Sequence, residues 1–104
     1  MAFFMSAQLV ALSDGPSFTL DKVVILIGRS EECDIQIESP KISRKHCCIA
    51  LMNGKLLVRD LGSTNGIKIN GQKVPEGLVA PGDELTIGNH NYVLHWDSVV
   101  IQGS

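Results

Sequence analysis

The chain has 104 residues, 44% of them hydrophobic, and a formal net charge of -2. That length suits one compact domain, residues 1–104 with a core from about 8 to 101, able to bury roughly 60–70% of its unfolded surface without metal or disulfide staples. The near-balanced charge, with no run of Lys or Arg, excludes a general nucleic-acid footprint and a polybasic membrane contact, so any anion has to be read locally.

From the start of the chain, Met1-Ala2-Phe3-Phe4-Met5 lacks the positive flank and long apolar segment of a secretory signal. Apolar runs such as Val23 to Ile27 are far too short to cross a bilayer, and the expectation is a cytoplasmic protein without membrane contact. Short apolar or β-branched runs then recur with turn residues between them, and no stretch keeps a helical period. Strands are predicted at Gln8–Leu12, Ser17–Leu20, Val23–Ile27, Ile35–Ile37, His46–Met52, Lys55–Asp60, Ile67–Ile69, Gln72–Val74, Glu84–Ile87, Asn91–Trp96 and Val99–Ile101. Asp14-Gly15-Pro16, Asn53-Gly54, Asn70-Gly71 and Gly88-Asn89 supply residues that tolerate the positive φ of tight turns. The reading is an all-β fold of about eleven strands. The tail Gln102-Gly103-Ser104 reads as an expression scar or the start of a linker.

Three turns carry the chemistry: Ile27-Gly28-Arg29-Ser30, Ile42-Ser43-Arg44-Lys45-His46 and Leu61-Gly62-Ser63-Thr64-Asn65-Gly66, each beside an apolar run. Arg29 and Arg44 offer planar, permanently charged forks suited to phosphate oxygens, and Ser43, Thr64 and Asn65 add short donors that fix orientation. Taken singly, each has a plainer reading: an exposed arginine, a serine bonding its own turn, an asparagine that only shapes its loop. Ser43 and His46 also invite a catalytic dyad, but no oxyanion apparatus or placed carboxylate accompanies them, and no enzyme is expected.

Five short motifs in order, Gly28-Arg29, Ser43 to His46, Ser63-Thr64-Asn65-Gly66, Asn70-Gly71 and Gly82-Asp83, resemble the forkhead-associated (FHA) family, which recognises phosphothreonine in partner proteins. The resemblance runs from about Leu9 to Leu94. It implies a two-sheet β-sandwich with its ligand loops gathered at one end, and a phosphothreonine-dependent binding module acting as a signalling adaptor, with no cofactor. By the same resemblance Arg29, Ser43 and Thr64 contact phosphate, and Asn65 clamps the peptide backbone. Arg44 stands where the family varies, between a phosphate contact, a peptide contact and a solvated charge. Lys41 would face the third residue after the phosphothreonine, where an ammonium favours Asp or Glu. Gly28, His46 and Gly66 support the site, Gly28 by permitting a close backbone turn and His46 by holding the loops of Ser43 and Thr64. The alternative is an FHA-fold scaffold that binds an unphosphorylated partner through a sheet face.

The three cysteines, Cys33, Cys47 and Cys48, lack metal-ligand spacing and are expected to be free thiols. Side chains alternate along a strand, so Cys47 and Cys48 point opposite ways, and the resemblance puts Cys47 in the core.

Overall fold

Apolar side chains at every second position, as in Ile25 and Ile27 or Leu56 and Val58, can be buried together only if the backbone is extended. The computed structural model describes the backbone of residues 2–101 and the side chains of residues 6–96. Among the described residues eleven strands are formed: β1 (Ala2–Ala11), β2 (Phe18–Leu20), β3 (Val24–Gly28), β4 (Ile35–Gln36), β5 (Cys47–Met52), β6 (Lys55–Asp60), β7 (Ile67–Ile69), β8 (Gln72–Val74), β9 (Glu76–Val79), β10 (Glu84–Ile87) and β11 (His90–Ile101). They build a six-stranded sheet, β2-β1-β11-β10-β7-β8, and a five-stranded sheet, β4-β3-β5-β6-β9. The expected two-sheet all-β architecture is the observed one.

The inner faces meet in one core in which Leu9, Ile25, Ile27, Ile49, Leu56, Val58, Ile67, Leu85, Ile87 and Leu94 are almost wholly buried. Each such side chain contributes about 1.5–3 kcal/mol over its exposed state. Asn53-Gly54 and Asn70-Gly71 turn the chain with φ of 48°, 80°, 50° and 82°, the paired left-handed conformation that a two-residue hairpin requires.

Three elements depart from the sequence reading. Strand β1, expected to begin at Gln8, already begins at Ala2, where β11 offers it a partner. The predicted strands Asn91–Trp96 and Val99–Ile101 are one strand, because β11 pairs with β1 without interruption from Ala11↔Tyr92 to Ala2↔Ile101. The pairing carries Asp97 and Ser98, which read locally as a break. Strand β9 was not foreseen, since Pro75 and Gly77 look like breakers; it is the outermost strand of its sheet, where both residues are tolerated. A Cβ on Gly77 would lie 2.7 Å from Ile69 Cδ1, so the missing side chain is replaced by a neighbour's methyl group. The segment Gln102-Gly103-Ser104 lies outside the described residues.

On the outer face of the five-stranded sheet the register aligns Val24, Ala50, Leu57 and Leu78 in one row across four strands. Val24 and Leu78 are more than half exposed. Cys47 is fully buried and Cys48, on the opposite side of β5, is half-buried, as the alternation predicts. Burial pushes the Cys47 and Cys33 thiols up in pKa. A thiol titration of the native protein is therefore expected to count one fast-reacting group, Cys48, with three counted in denaturant; two or more fast thiols in the folded state would contradict this packing.

Among the described residues, no helix is long and apolar enough to cross a membrane.

Candidate functional site

The loops that carry the predicted residues leave the sheets at the same end. Pairing of Ile27 with Cys47 and of Cys47 with Asp60 sets the segments 29–46 and 61–66 side by side, and Gly88 N donates to Gly66 O at 3.1 Å from the turn between β10 and β11.

Gly28 ends β3 where the segment bearing Ser43 and Arg44 crosses it. Arg29 N donates to Ser43 O at 2.9 Å, Ser30 N to Arg44 O at 3.1 Å, and His46 N to Ile27 O at 2.9 Å. A Cβ on Gly28 would sit 2.1 Å from Arg44 O. Its φ is not among the positive ones, so the reason for glycine is this backbone contact rather than the turn geometry expected from sequence. Arg29 is exposed, and its Nε donates to Ile42 O at 3.1 Å, which fixes the guanidinium plane and leaves the terminal amino groups without a protein partner.

His46 is fully buried and joins two loops. Its Nδ1 accepts from Ser43 N at 3.0 Å and its Nε2 lies 2.8 Å from Gly66 O. A nitrogen that accepts an N–H cannot carry a proton, so the ring is the neutral tautomer with hydrogen on Nε2. Both ring nitrogens are thereby committed to backbone groups. The dyad with Ser43 does not form, because the imidazole meets the serine's amide and not its hydroxyl.

The third loop is pinned by its own polar residues. Ser63 N donates to Asp60 Oδ2 at 3.1 Å, the Ser63 hydroxyl donates to Asp60 Oδ1, and Gly66 N donates to Ser63 Oγ at 2.8 Å. Thr64 N donates to Ser43 Oγ at 3.0 Å, so that hydroxyl accepts from within the domain and keeps its own hydrogen for a further acceptor. Asn65 Nδ2 donates to Lys41 O at 2.9 Å, which commits one amide hydrogen and leaves Oδ1 and the second hydrogen. Lys41 O in turn rests on Gly88, where a Cβ would approach it to 2.7 Å.

The structure thus brings Arg29, Lys41, Ser43, Arg44, Thr64 and Asn65 onto one exposed rim, with Gly28, His46 and Gly66 beneath them. Asp60 and Gly88 were missed as supporting residues. Asp60 was legible, since an aspartate three residues before a serine at a strand end is a turn signal; Gly88 was not, because its partner lies 47 positions earlier in the chain. The rim's cations are unneutralised: the ion pairs among the described residues, Lys22–Asp34 and Arg59–Glu76, lie elsewhere. A 420 Å³ cavity lies beside these groups, between the 13–16 turn, Gln36–Glu38 and His90–Tyr92, and none of the predicted site residues lines it.

The model of the FHA domain family matches residues 25–88, which takes in all three loops. The chain belongs to the FHA domain family. This FHA domain is 35% identical over 80 residues to the human (Homo sapiens) proliferation marker protein Ki-67, covering 76% of the chain and 2% of Ki-67. It is also 35% identical over 79 residues to the glycogen accumulation regulator GarA of Mycobacterium tuberculosis, covering 76% of the chain and 49% of GarA. The chain therefore spans about half of one of these relatives and a small fraction of the other. Among solved structures, the N-terminal FHA domain of Saccharomyces cerevisiae Rad53p in complex with a phosphothreonine peptide matches with a TM-score of 0.76 at 27% identity, covering 88% of this chain and 94% of that one. The FHA domain of the CT664 protein from Chlamydia trachomatis matches with a TM-score of 0.78 at 27% identity, covering 86% and 96%.

Proposed function

We propose that this FHA domain is a phosphothreonine-dependent binding module that works as a cytoplasmic signalling adaptor and catalyses no reaction. The observation that carries the reading is the exposed rim on which Arg29, Lys41 and Arg44 remain unpaired around the Ser43 hydroxyl, in a chain whose net charge is -2. Arg29, Ser43 and Thr64 bind the phosphate, Asn65 uses its remaining amide groups on the peptide backbone, and Arg44 and Lys41 meet the phosphate flank and the residues that follow. Clustered arginine with short neutral donors is a recurring solution for phosphorylated side chains. The commitment of both His46 nitrogens speaks against acid–base chemistry. Free thiols at Cys33, Cys47 and Cys48 suit a reducing compartment.

Calorimetry with one peptide in phosphothreonine and unmodified forms tests the proposal: only the phosphorylated form is expected to bind, and equal heats for both would end it. The affinity is also expected to fall as pH drops from 7 to 5. The phosphate's second pKa is about 6, so the dianion becomes the minor species, and the loss approaches roughly tenfold if the dianion alone is read. An affinity constant down to pH 5 would mean that the dianion is not the recognised species.

The second reading, an unphosphorylated partner on a sheet face, has its own support in the row Val24, Ala50, Leu57 and Leu78, whose two ends are exposed and whose middle is half-buried. It needs no unpaired cation and leaves the loops without a task.

A further inference from the structure

The 420 Å³ cavity beside the rim has a chemistry of its own. Its inner wall is aromatic and aliphatic: Phe18 and Tyr92 stand with ring centroids 5.8 Å apart and planes tilted by 53°, and Ile37 is buried next to them. Its outer wall is acidic. Asp14 and Glu38 are exposed, Asp14 has no ion-pair partner, and Glu38 only accepts a 3.3 Å hydrogen bond from Gln36 Nε2. No lysine or arginine lines the cavity; His90 does, with its Nε2 buried and without a hydrogen-bond partner. Two carboxylates without ion-pair partners, in one lining with a pair of aromatic rings, suit a cation on an aliphatic stem, whose methylenes pack on the rings while its head meets the carboxylates.

The cavity is coupled to the phosphate-reading rim. Gln36 Nε2 also donates to Arg29 O at 3.1 Å, and the cavity wall Gln36–Glu38 continues through Lys41 to Ser43. The opposite wall, His90 to Tyr92, follows the turn whose Gly88 seats Lys41 O. The cavity therefore lies on the Lys41 side of the rim.

We propose that this cavity receives a lysine or arginine side chain of the phosphorylated partner, at a position further from the phosphothreonine than the residue that Lys41 faces. The inference rests on the phosphothreonine reading above. It gives the domain two charge filters of opposite sign along one ligand: an anion at the rim and a cation beyond it.

A phosphothreonine peptide library screened on the intact domain is expected to enrich Arg or Lys beyond the third residue after the phosphothreonine. Asp14→Asn with Glu38→Gln is expected to erase that enrichment and weaken the selected peptide roughly three- to tenfold, with dependence on phosphorylation retained. Both side chains are exposed, so the double variant is expected to melt like the parent. Independently of phosphate, titration with N-acetyl-arginine methylamide is expected to shift the amide resonances of Phe18, His90 and Tyr92, and the uncharged N-acetyl-citrulline methylamide is not. A library without a basic preference, a preference untouched by the double substitution, or equal shifts from the two probes would overturn the proposal. If peptides bind regardless of phosphorylation, the reading of the rim fails, and the probe titration alone decides the cavity.

Discussion

Gly28→Ala is expected to destabilise the domain by about 2–3 kcal/mol and to weaken phosphopeptide binding, although position 28 presents no group to a ligand. The added methyl would meet Arg44 O at 2.1 Å and Arg44 C at 2.8 Å, and backbone atoms cannot swing aside as a side-chain tip can. Relief requires the segment carrying Ser43 and Arg44 to lift from β3, which breaks the bonds from Arg29 N and Ser30 N and parts Ser43 from Arg29. Gly77→Ala is the comparison, because there the methyl meets side-chain atoms alone, Ile69 Cδ1 at 2.7 Å, the end of a half-buried side chain, and Val74 Cγ2 at 3.7 Å. Thermal melts should separate the two, with Gly28→Ala lower by on the order of 10 °C. If both variants melt alike, close backbone approach is not what position 28 requires.

Arg29→Ala is expected to cost about 2–3 kcal/mol of phosphopeptide affinity, roughly 30- to 150-fold, with little change in stability. The guanidinium is held by one bond, from Nε to Ile42 O, and its terminal amino groups have no other task in the fold. Removing it takes charge-assisted hydrogen bonds from the phosphate without opening a cavity, since the residue is exposed. Arg29→Lys is expected to recover only part of the loss, because an ammonium has neither the planar fork nor the Nε contact that orients it. Calorimetry beside a melting curve checks both parts. Unchanged affinity in a normally folded variant would remove Arg29 from the site.

Local signals carried most of the architecture. The turns at Asn53-Gly54 and Asn70-Gly71 and the alternation in Lys55–Asp60 are properties of a few consecutive residues, and they were legible for that reason. What failed depends on distant partners. The continuity of β11 through Asp97 and Ser98 is imposed by β1, and β9 exists because β6 offers it an edge, with Leu57 opposite Leu78. The same division runs through the site. Residue types and order pointed to Arg29, Ser43, Thr64 and Asn65, whereas the reason for Gly28 and the seat at Gly88 came from contacts that no local pattern announces. His46 falls between: its role as a tie between loops followed from the family resemblance, and its two backbone partners set the tautomer.

Phosphate-dependent binding at the rim is tested by a backbone amide chemical-shift map of the domain, recorded with a phosphothreonine peptide and with the same peptide unmodified. The phosphorylated peptide is expected to shift Arg29, Ser43, Arg44, Thr64 and Asn65, and the unmodified one to leave them in place. Shifts of equal size from both peptides, or shifts confined to the outer row of Val24, Ala50, Leu57 and Leu78, would contradict it.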